Sequence, residues 1–199
     1  MVAFSVDESF KTATTFTGLP VISFDKIEAQ YPSNRYDMFI AVGYHDLNSF
    51  RESKCRQALD KGYNLISIIS PLSNLPTNVS TGWNCFIMPP SLIHPYVQIG
   101  NNVFIWNGAM VGHHSVVQDN CWLTSGCNIS GNVEIGANTF VAVNATIGHS
   151  VKIGRNCFLG ANSLVTKSLG DDKVVIVESV KPIRLNSKQF LRMSSFSSL

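Results

Sequence analysis

The chain has 199 residues, of which 45% are hydrophobic and only 14% are charged, so it can bury a sizeable core as one or two domains. Its net charge of +2 gives no electrostatic basis for binding nucleic acid. No apolar run approaches the roughly 18 residues that span a bilayer, and the N-terminus lacks the basic-then-apolar pattern of a signal peptide. We therefore expect no membrane insertion and a cytoplasmic location.

Residues 1–72 have the pattern of a small α/β unit. Residues 37–43 (DMFIAVG) predict a buried strand that ends in a glycine turn. Residues 50–62 are typical of a helix closed by Gly62, and residues 63–71 predict a second strand. This order of elements indicates a strand–helix–strand unit.

From Leu75 to Leu169 the sequence repeats every six residues. One position in each unit is aliphatic in fifteen of sixteen cases, and the position four residues later is mostly small, as at Cys85, Ala109 and Ser115. The position three residues after the aliphatic one is Asn nine times and Gly twice. These residue types tolerate a left-handed backbone most readily, which indicates a corner.

An inward aliphatic residue, an inward small residue and a corner in every unit predict a coil with flat faces. Three units, about 18 residues, close one triangular turn, and stacked turns form a parallel β-helix. Four of the five cysteines occupy the small inward position, so we expect buried, unreactive thiols. The repeat stops after Leu169, and residues 185–199 are a Ser-rich tail.

In such a coil, residues separated by 18 positions in the sequence stack one above another, about 4.8 Å apart. Three histidines of this chain then fall in two neighbouring columns. One column contains Pro95, His113, Gly131, His149 and Lys167. The other contains Tyr96, His114, Asn132, Ser150 and Ser168. His113 lies just before a corner on the solvent side, with a glycine one turn above it, and we regard it as a candidate functional residue rather than core filler.

The hexapeptide pattern over residues 75–169 resembles that of the left-handed β-helix acyltransferases. Residues 174–184 resemble the strand that closes the coil in that family, so a closing strand is predicted there. Residues 1–72 resemble the N-terminal α/β domain of the sugar O- and N-acyltransferases of the sialic-acid and bacillosamine type, which binds a nucleotide-linked sugar. In that family a first strand and a glycine turn precede an acidic pair, which here is Asp7 and Glu8. Because the first strand and glycine turn are missing, we expect either an N-terminally shortened domain or altered nucleotide binding. The predicted domains are residues 1–72 (α/β), 73–184 (β-helix) and 185–199 (tail).

The resemblance implies direct transfer of acetyl from acetyl-CoA to the amine of a nucleotide-linked amino sugar for a bacterial surface glycan. It gives His113 the role of general base, His114 that of the orienting residue usually supplied by Glu, and the Gly131 N–H that of oxyanion donor. The expected substrate contacts are Asp7, Asn107, Gly43, Tyr44 and Arg51. The expected CoA contacts are Trp122, Gly131, His149, Ala161 and Lys167, with Trp122 facing outward.

The resemblance further implies a homotrimer, with each site between two chains, and no metal. Three alternatives stay open at this point. The first is O-acetylation of a sugar such as sialic acid. The second is a zinc enzyme like the γ-carbonic anhydrases, favoured by the 36-residue spacing of His113 and His149 but opposed by Gly154 where that family has a third histidine. The third is a non-catalytic trimeric scaffold.

Overall fold

The computed structural model describes residues 1–194; the predicted tail therefore falls partly outside the described residues, at 195–199. The chain opens with a small three-stranded sheet made of β1 (Phe4–Val6), β2 (Thr15–Phe16) and β3 (Leu19–Ser23). Strand β3 is central, parallel to β1 and antiparallel to β2. Two helices follow, α1 (Ile27–Gln30) and α2 (Ser49–Asp60).

Helix α2 presents one buried face, because Arg51, Cys55 and Ala58 recur at helical spacing. It ends at Asp60 and is closed by Gly62, whose φ of +84° and N–H donation to the carbonyl of Leu59 (2.8 Å) make a left-handed termination. The predicted helix is confirmed.

The two strands predicted beside α2 are much shorter than expected. Residues 37–43 contribute a single parallel bridge, Met38 to Leu65. The predicted strand 63–71 is divided between two partners. Leu65 forms the bridge with Met38, whereas Ile68–Ile69 pairs with Phe86–Ile87 of the coil. The strand–helix–strand order is present, but the coil already begins before residue 73.

Residues 68–175 form three parallel sheets, which are the three faces of the coil. The first, here called the aromatic face, contains β4 (Ile68–Ile69), β6 (Phe86–Ile87), β9 (Phe104–Ile105), β12 (Trp122–Leu123), β15 (Phe140–Val141), β18 (Phe158–Leu159) and β20 (Val174–Val175). The second contains β7 (Leu92–Ile93), β10 (Met110–Val111), β13 (Asn128–Ile129), β16 (Thr146–Ile147) and β19 (Leu164–Val165). The third contains β5 (Ser80–Thr81), β8 (Gln98–Ile99), β11 (Val116–Val117), β14 (Glu134–Ile135) and β17 (Lys152–Ile153).

Every strand of the coil pairs with the strand 18 residues away along the chain, except at the last turn of the aromatic face, where β18 pairs with β20 over 16 residues. The predicted aliphatic positions from Ile87 to Val165 are buried, as are the small positions from Val97 to Ser163. The predicted corner residues adopt positive φ from Asn84 to Asn162, with Pro90 as the exception. The parallel β-helix, its period and its phase are thus confirmed.

All five cysteines are free and buried. Burial raises the pKa of Cys121 and of Cys127 to about 12, and the Cys121 thiol donates to the carbonyl of Gly136 at 3.2 Å. Strand β20 is the predicted closing strand, and helix α3 (Ser187–Ser194) follows it. Within residues 1–194, no helix is long and apolar enough to cross a bilayer.

Candidate functional site

The candidate site lies at the corner between the second and third faces, here called the histidine corner. His113 and His114 connect β10 to β11 and are both exposed. The predicted columns are present, because the N–H of His114 donates to the carbonyl of Pro95 (3.2 Å) and the N–H of Asn132 donates to the carbonyl of His113 (2.8 Å). Neighbouring turns therefore hold the backbone of the corner in register.

The imidazole of His113 lies against the backbone of Gly131 in the next turn. A Cβ atom at position 131 would come within 2.6 Å of Nε2 and 2.7 Å of Cε1 of His113. Any side chain at this position would displace the ring. The glycine therefore allows the imidazole to approach the strand backbone closely, as the sequence predicted for this column.

His114 contacts both His113 and the turn below. Its Nδ1 atom is 3.1 Å from Nδ1 of His113, and the two rings are nearly perpendicular, at 84°. On its other side the His114 ring stacks on Tyr96, with centroids 4.8 Å apart and planes inclined by 22°. The ring of His149 lies 6.3 Å from that of His113.

The remaining predicted coil residues are spread over two corners. Asn107 and Ala161 are exposed at the corner between the aromatic and second faces, where Asn107 Oδ1 accepts a hydrogen bond from the Ser125 hydroxyl at 3.0 Å. Lys167 is exposed at the top of the histidine corner. The second face lies between these two corners. Within one chain it separates Asn107, the predicted sugar contact, from His113, the predicted base.

Two of the N-terminal candidates, Gly43 and Tyr44, lie near the aromatic face, whereas Asp7 lies beside α2. Gly43 and Tyr44 are exposed, and the Tyr44 ring packs on Trp122 and Phe140, with centroids 5.5 Å and 4.6 Å away. Asp7 follows β1 and pairs with Lys54 of α2 at 2.7 Å. Beside this turn is an open depression of about 430 Å³, lined by His45, Asp46, Ser49, Phe50 and Ser53.

The expected roles of Arg51 and Trp122 do not agree with their positions and are corrected here. Arg51 is 0% exposed and Trp122 only 7%, so neither can contact a ligand on the surface of this chain. The guanidinium donates to Asn102 Oδ1 (3.0 Å), Asn48 Oδ1 (2.9 Å) and the carbonyl of Asn120 (3.0 Å). Burial lowers the pKa of Arg51 to about 10, so it is charged at neutral pH.

Arg51 instead joins α2 to the aromatic face. Its guanidinium lies 4.5 Å from the centroid of the Phe104 ring and 4.9 Å from that of the Trp122 ring, which are cation–π distances. The sequence does contain a signal for this covered face. The outward residue of five successive turns is aromatic, at Phe86, Phe104, Trp122, Phe140 and Phe158.

The positions of the potential metal-binding side chains bear on the zinc-enzyme alternative. Across the described part of the chain, residues 1–194, no group of three or more His, Cys, Asp or Glu side chains is placed to hold a metal ion. His113 and His149 are therefore not part of such a group within the described chain.

Comparison with known proteins identifies the repeat and the fold. Residues 132–167 match the family model of the bacterial transferase hexapeptide, described as six repeats. A search of curated protein sequences finds no match. The structure is similar to that of a histidine-to-asparagine mutant of perosamine N-acetyltransferase from Caulobacter crescentus, solved in complex with CoA and GDP-perosamine. The TM-score is 0.76 at 25% identity, over 81% of this chain and 76% of that chain.

Two further solved structures share the fold at lower identity. The acetyltransferase domain of PglB from Neisseria gonorrhoeae, in complex with acetyl coenzyme A, gives a TM-score of 0.77 at 20% identity, over 87% of this chain and 83% of that chain. WeeI from Acinetobacter baumannii gives 0.67 at 22% identity, over 88% and 82%. The 18-residue coil, the hexapeptide match over residues 132–167 and these structures show a left-handed parallel β-helix fold built from hexapeptide repeats.

Proposed function

We propose that the chain is an acetyltransferase that moves the acetyl group of acetyl-CoA to the amine of a nucleotide-linked amino sugar. The observation that carries the proposal is the exposed imidazole of His113, held against Gly131 at a coil corner. It is supported by the likeness, over most of both chains, to a sugar N-acetyltransferase solved with CoA and GDP-perosamine.

In the proposed reaction His113 acts as general base. The amine nitrogen attacks the thioester carbonyl with its lone pair, and Nε2 of His113 takes the proton that the nitrogen loses. An imidazole is suited to this because its unperturbed pKa, about 6.5, leaves it largely neutral at physiological pH. The carbonyl oxygen gains negative charge, for which the backbone N–H of Gly131 is the proposed donor. The carbon–sulfur bond then breaks, and the departing thiolate takes the proton from His113.

The substrates are assigned to different parts of the chain. We propose that residues 1–72 bind the nucleotide-linked sugar through Asp7, Gly43 and Tyr44, and that Asn107 of the coil contacts the sugar. The coil holds CoA through exposed residues of its last turns, namely His149, Ala161 and Lys167. Arg51 and Trp122 are left out of both sets because they are buried.

We further propose a homotrimer working in the cytoplasm. His113 and Asn107 lie at opposite edges of the second face, and flat coil faces offer no enclosed cleft. A neighbouring chain packed against this face would complete a site beside each His113, giving three sites per trimer. Cytoplasmic location follows from the supply of acetyl-CoA there.

The proposal is tested with a panel of nucleotide-linked amino sugars, each paired with its hydroxyl counterpart. Release of free thiol from acetyl-CoA measures turnover. We expect turnover with at least one amino sugar and little with its hydroxyl counterpart. Preference for the hydroxyl compound would indicate O-acetylation instead, and absence of thiol release with the whole panel would contradict the proposal.

A further inference from the structure

The charges of this chain are divided unevenly along its length. Of its 15 basic and 13 acidic side chains, 11 basic and all 13 acidic ones lie in residues 1–178, which therefore have a net charge of −2. The segment that follows has four basic side chains and no acidic one, namely Lys181, Arg184, Lys188 and Arg192. All four are exposed. A basic terminal segment on a slightly acidic body indicates binding to an anionic surface.

The same segment exposes apolar side chains. Its large apolar residues are all exposed, from 38% at Leu185 to 94% at Val180, and the others are Ile183, Phe190, Leu191 and Met193. Single exposed apolar residues are ordinary on a protein surface, whereas several within one short segment mark an interaction surface. The segment is thus both basic and apolar.

Helix α3 separates these two chemistries. Lys188 and Arg192 are four residues apart and so lie on the same side of the helix. Phe190 and Met193 are three residues apart and lie on the opposite side, with Leu191 next to them. Lysine and arginine on one side and phenylalanine and leucine on the other are typical of helices that lie in a membrane–water interface.

The start of helix α3 is specified by its own sequence. The N–H of Asn186 donates to Oε1 of Gln189 at 3.0 Å, and the N–H of Gln189 donates to Oδ1 of Asn186 at 2.9 Å. This reciprocal pair is a capping box, which favours a helix from this point. Because a helix of eight residues is only marginally stable in water by itself, a surface that takes up its apolar side would stabilise it.

We propose that residues 179–194 are a docking segment that attaches the protein to the surface of an anionic bilayer, with α3 lying in the plane of the interface. Phe190, Leu191 and Met193 enter the boundary with the acyl chains, while Lys188 and Arg192 stay at the headgroup phosphates. A second copy of the segment would bring the same positive charges, so repulsion opposes the pairing of two segments. The inference goes beyond the proposed acetyl transfer and does not depend on it.

The test is co-sedimentation of the full chain with vesicles of phosphatidylcholine, with and without phosphatidylglycerol. We expect binding to the mixed vesicles, little binding to phosphatidylcholine alone, and weaker binding at high salt. Lys188→Gln combined with Arg192→Gln should weaken binding about 30-fold, because each basic residue near an anionic surface contributes about fivefold. Phe190→Gln combined with Leu191→Gln should weaken it at least about tenfold, through the loss of apolar burial.

Two matched controls lie elsewhere on the surface. Lys26→Gln combined with Arg56→Gln changes the net charge by the same amount at two exposed positions, and Phe10→Gln removes a phenylalanine that is 69% exposed. Both controls should bind the mixed vesicles as the wild type does. Thiol release in solution should be unchanged in the α3 variants, which separates this inference from the proposed function.

Four results would overturn the inference. The first is a wild type that does not sediment with the mixed vesicles. The second is equal weakening by the α3 charge variant and its control, since net charge alone would then explain binding. The third is an α3 apolar variant that binds as tightly as the wild type or that instead dissociates an oligomer, which would assign the apolar side to a second copy. The fourth is a charge variant that loses affinity for CoA but not for vesicles.

Discussion

Replacing Arg51 tests whether this side chain attaches the N-terminal segment to the coil, as its burial indicates. Arg51→Ala leaves three of the four acceptors of the guanidinium without a donor: Asn48 Oδ1, the carbonyl of Asn102 and the carbonyl of Asn120. The side-chain oxygen of Asn102 is spared, because the Asn84 amide also donates to it, at 2.8 Å.

The expected loss of stability follows from this count. A buried acceptor left without a donor costs about 1–3 kcal/mol, so three acceptors cost about 3–9 kcal/mol before water enters the vacated space. Allowing for such water, we expect Arg51→Ala to lower the free energy of unfolding by about 3–5 kcal/mol. Arg51→Lys should lose less, since an ammonium can still donate to the two carbonyls.

The assay is denaturant unfolding followed by tryptophan fluorescence, which reports on Trp122 because that indole lies beside the guanidinium. The matched control is Arg56→Ala on the same helix. Its side chain is 73% exposed and pairs with Glu52 at 3.3 Å, an exposed ion pair for which we expect less than about 0.5 kcal/mol. If Arg51→Ala is as stable as the control but no longer binds a nucleotide-linked sugar, Arg51 is a ligand contact and the reasoning is refuted.

Three further predictions concern the coil and the buried thiols. Gly131→Ala should lower kcat at least about tenfold with little loss of melting temperature, because the three atoms nearest the new Cβ, at 2.6–3.1 Å, all belong to the movable ring of His113. Normal turnover would contradict the site geometry. Cys121→Leu should do the reverse, losing about 1–3 kcal/mol of stability by overpacking a position that is 0% exposed, while the folded fraction keeps its activity; a stable but inactive protein would show that the phase of the coil is wrong. Burial raises the pKa of the thiols of Cys55, Cys121 and Cys127 from 9.0 to about 12. Their contribution to the free energy of unfolding should therefore be intact below pH 9 and be lost as the pH rises through 12. Denaturant titrations should show a loss of up to about 1.4 kcal/mol per pH unit for each thiol. The buried guanidinium opposes this above its pKa of about 10, and stability that stays constant between pH 9 and 10 would contradict the burial of the thiols.

The coil and its phase could be predicted because each six-residue unit repeats the same physical requirements. An inward aliphatic residue, an inward small residue and a left-handed corner recur often enough that single exceptions, such as Thr81 and Pro90, do not obscure the pattern. The stacking of His113 below Gly131 follows from the 18-residue turn alone.

The surroundings of Arg51 could not be predicted from its own segment. Residues 37–71 have the pattern of a strand–helix–strand unit, whose strand ends would ordinarily face a ligand, whereas their pairing and burial are decided by contacts with the coil. The signal lies elsewhere in the chain, in the aromatic residues that recur every 18 positions from Phe86 to Phe158. Likewise, the contact between the rings of His113 and His114 depends on ring orientations, which no periodicity specifies.

The most direct test of the proposed reaction is the turnover of His113→Ala measured together with its affinity for CoA. The wild type and the variant are compared by thiol release with an accepted amino sugar, and by calorimetry with CoA. Loss of a general base should lower kcat about 10²–10⁴-fold and leave the Kd for CoA nearly unchanged. A variant that keeps wild-type turnover would show that His113 is not the base of this enzyme.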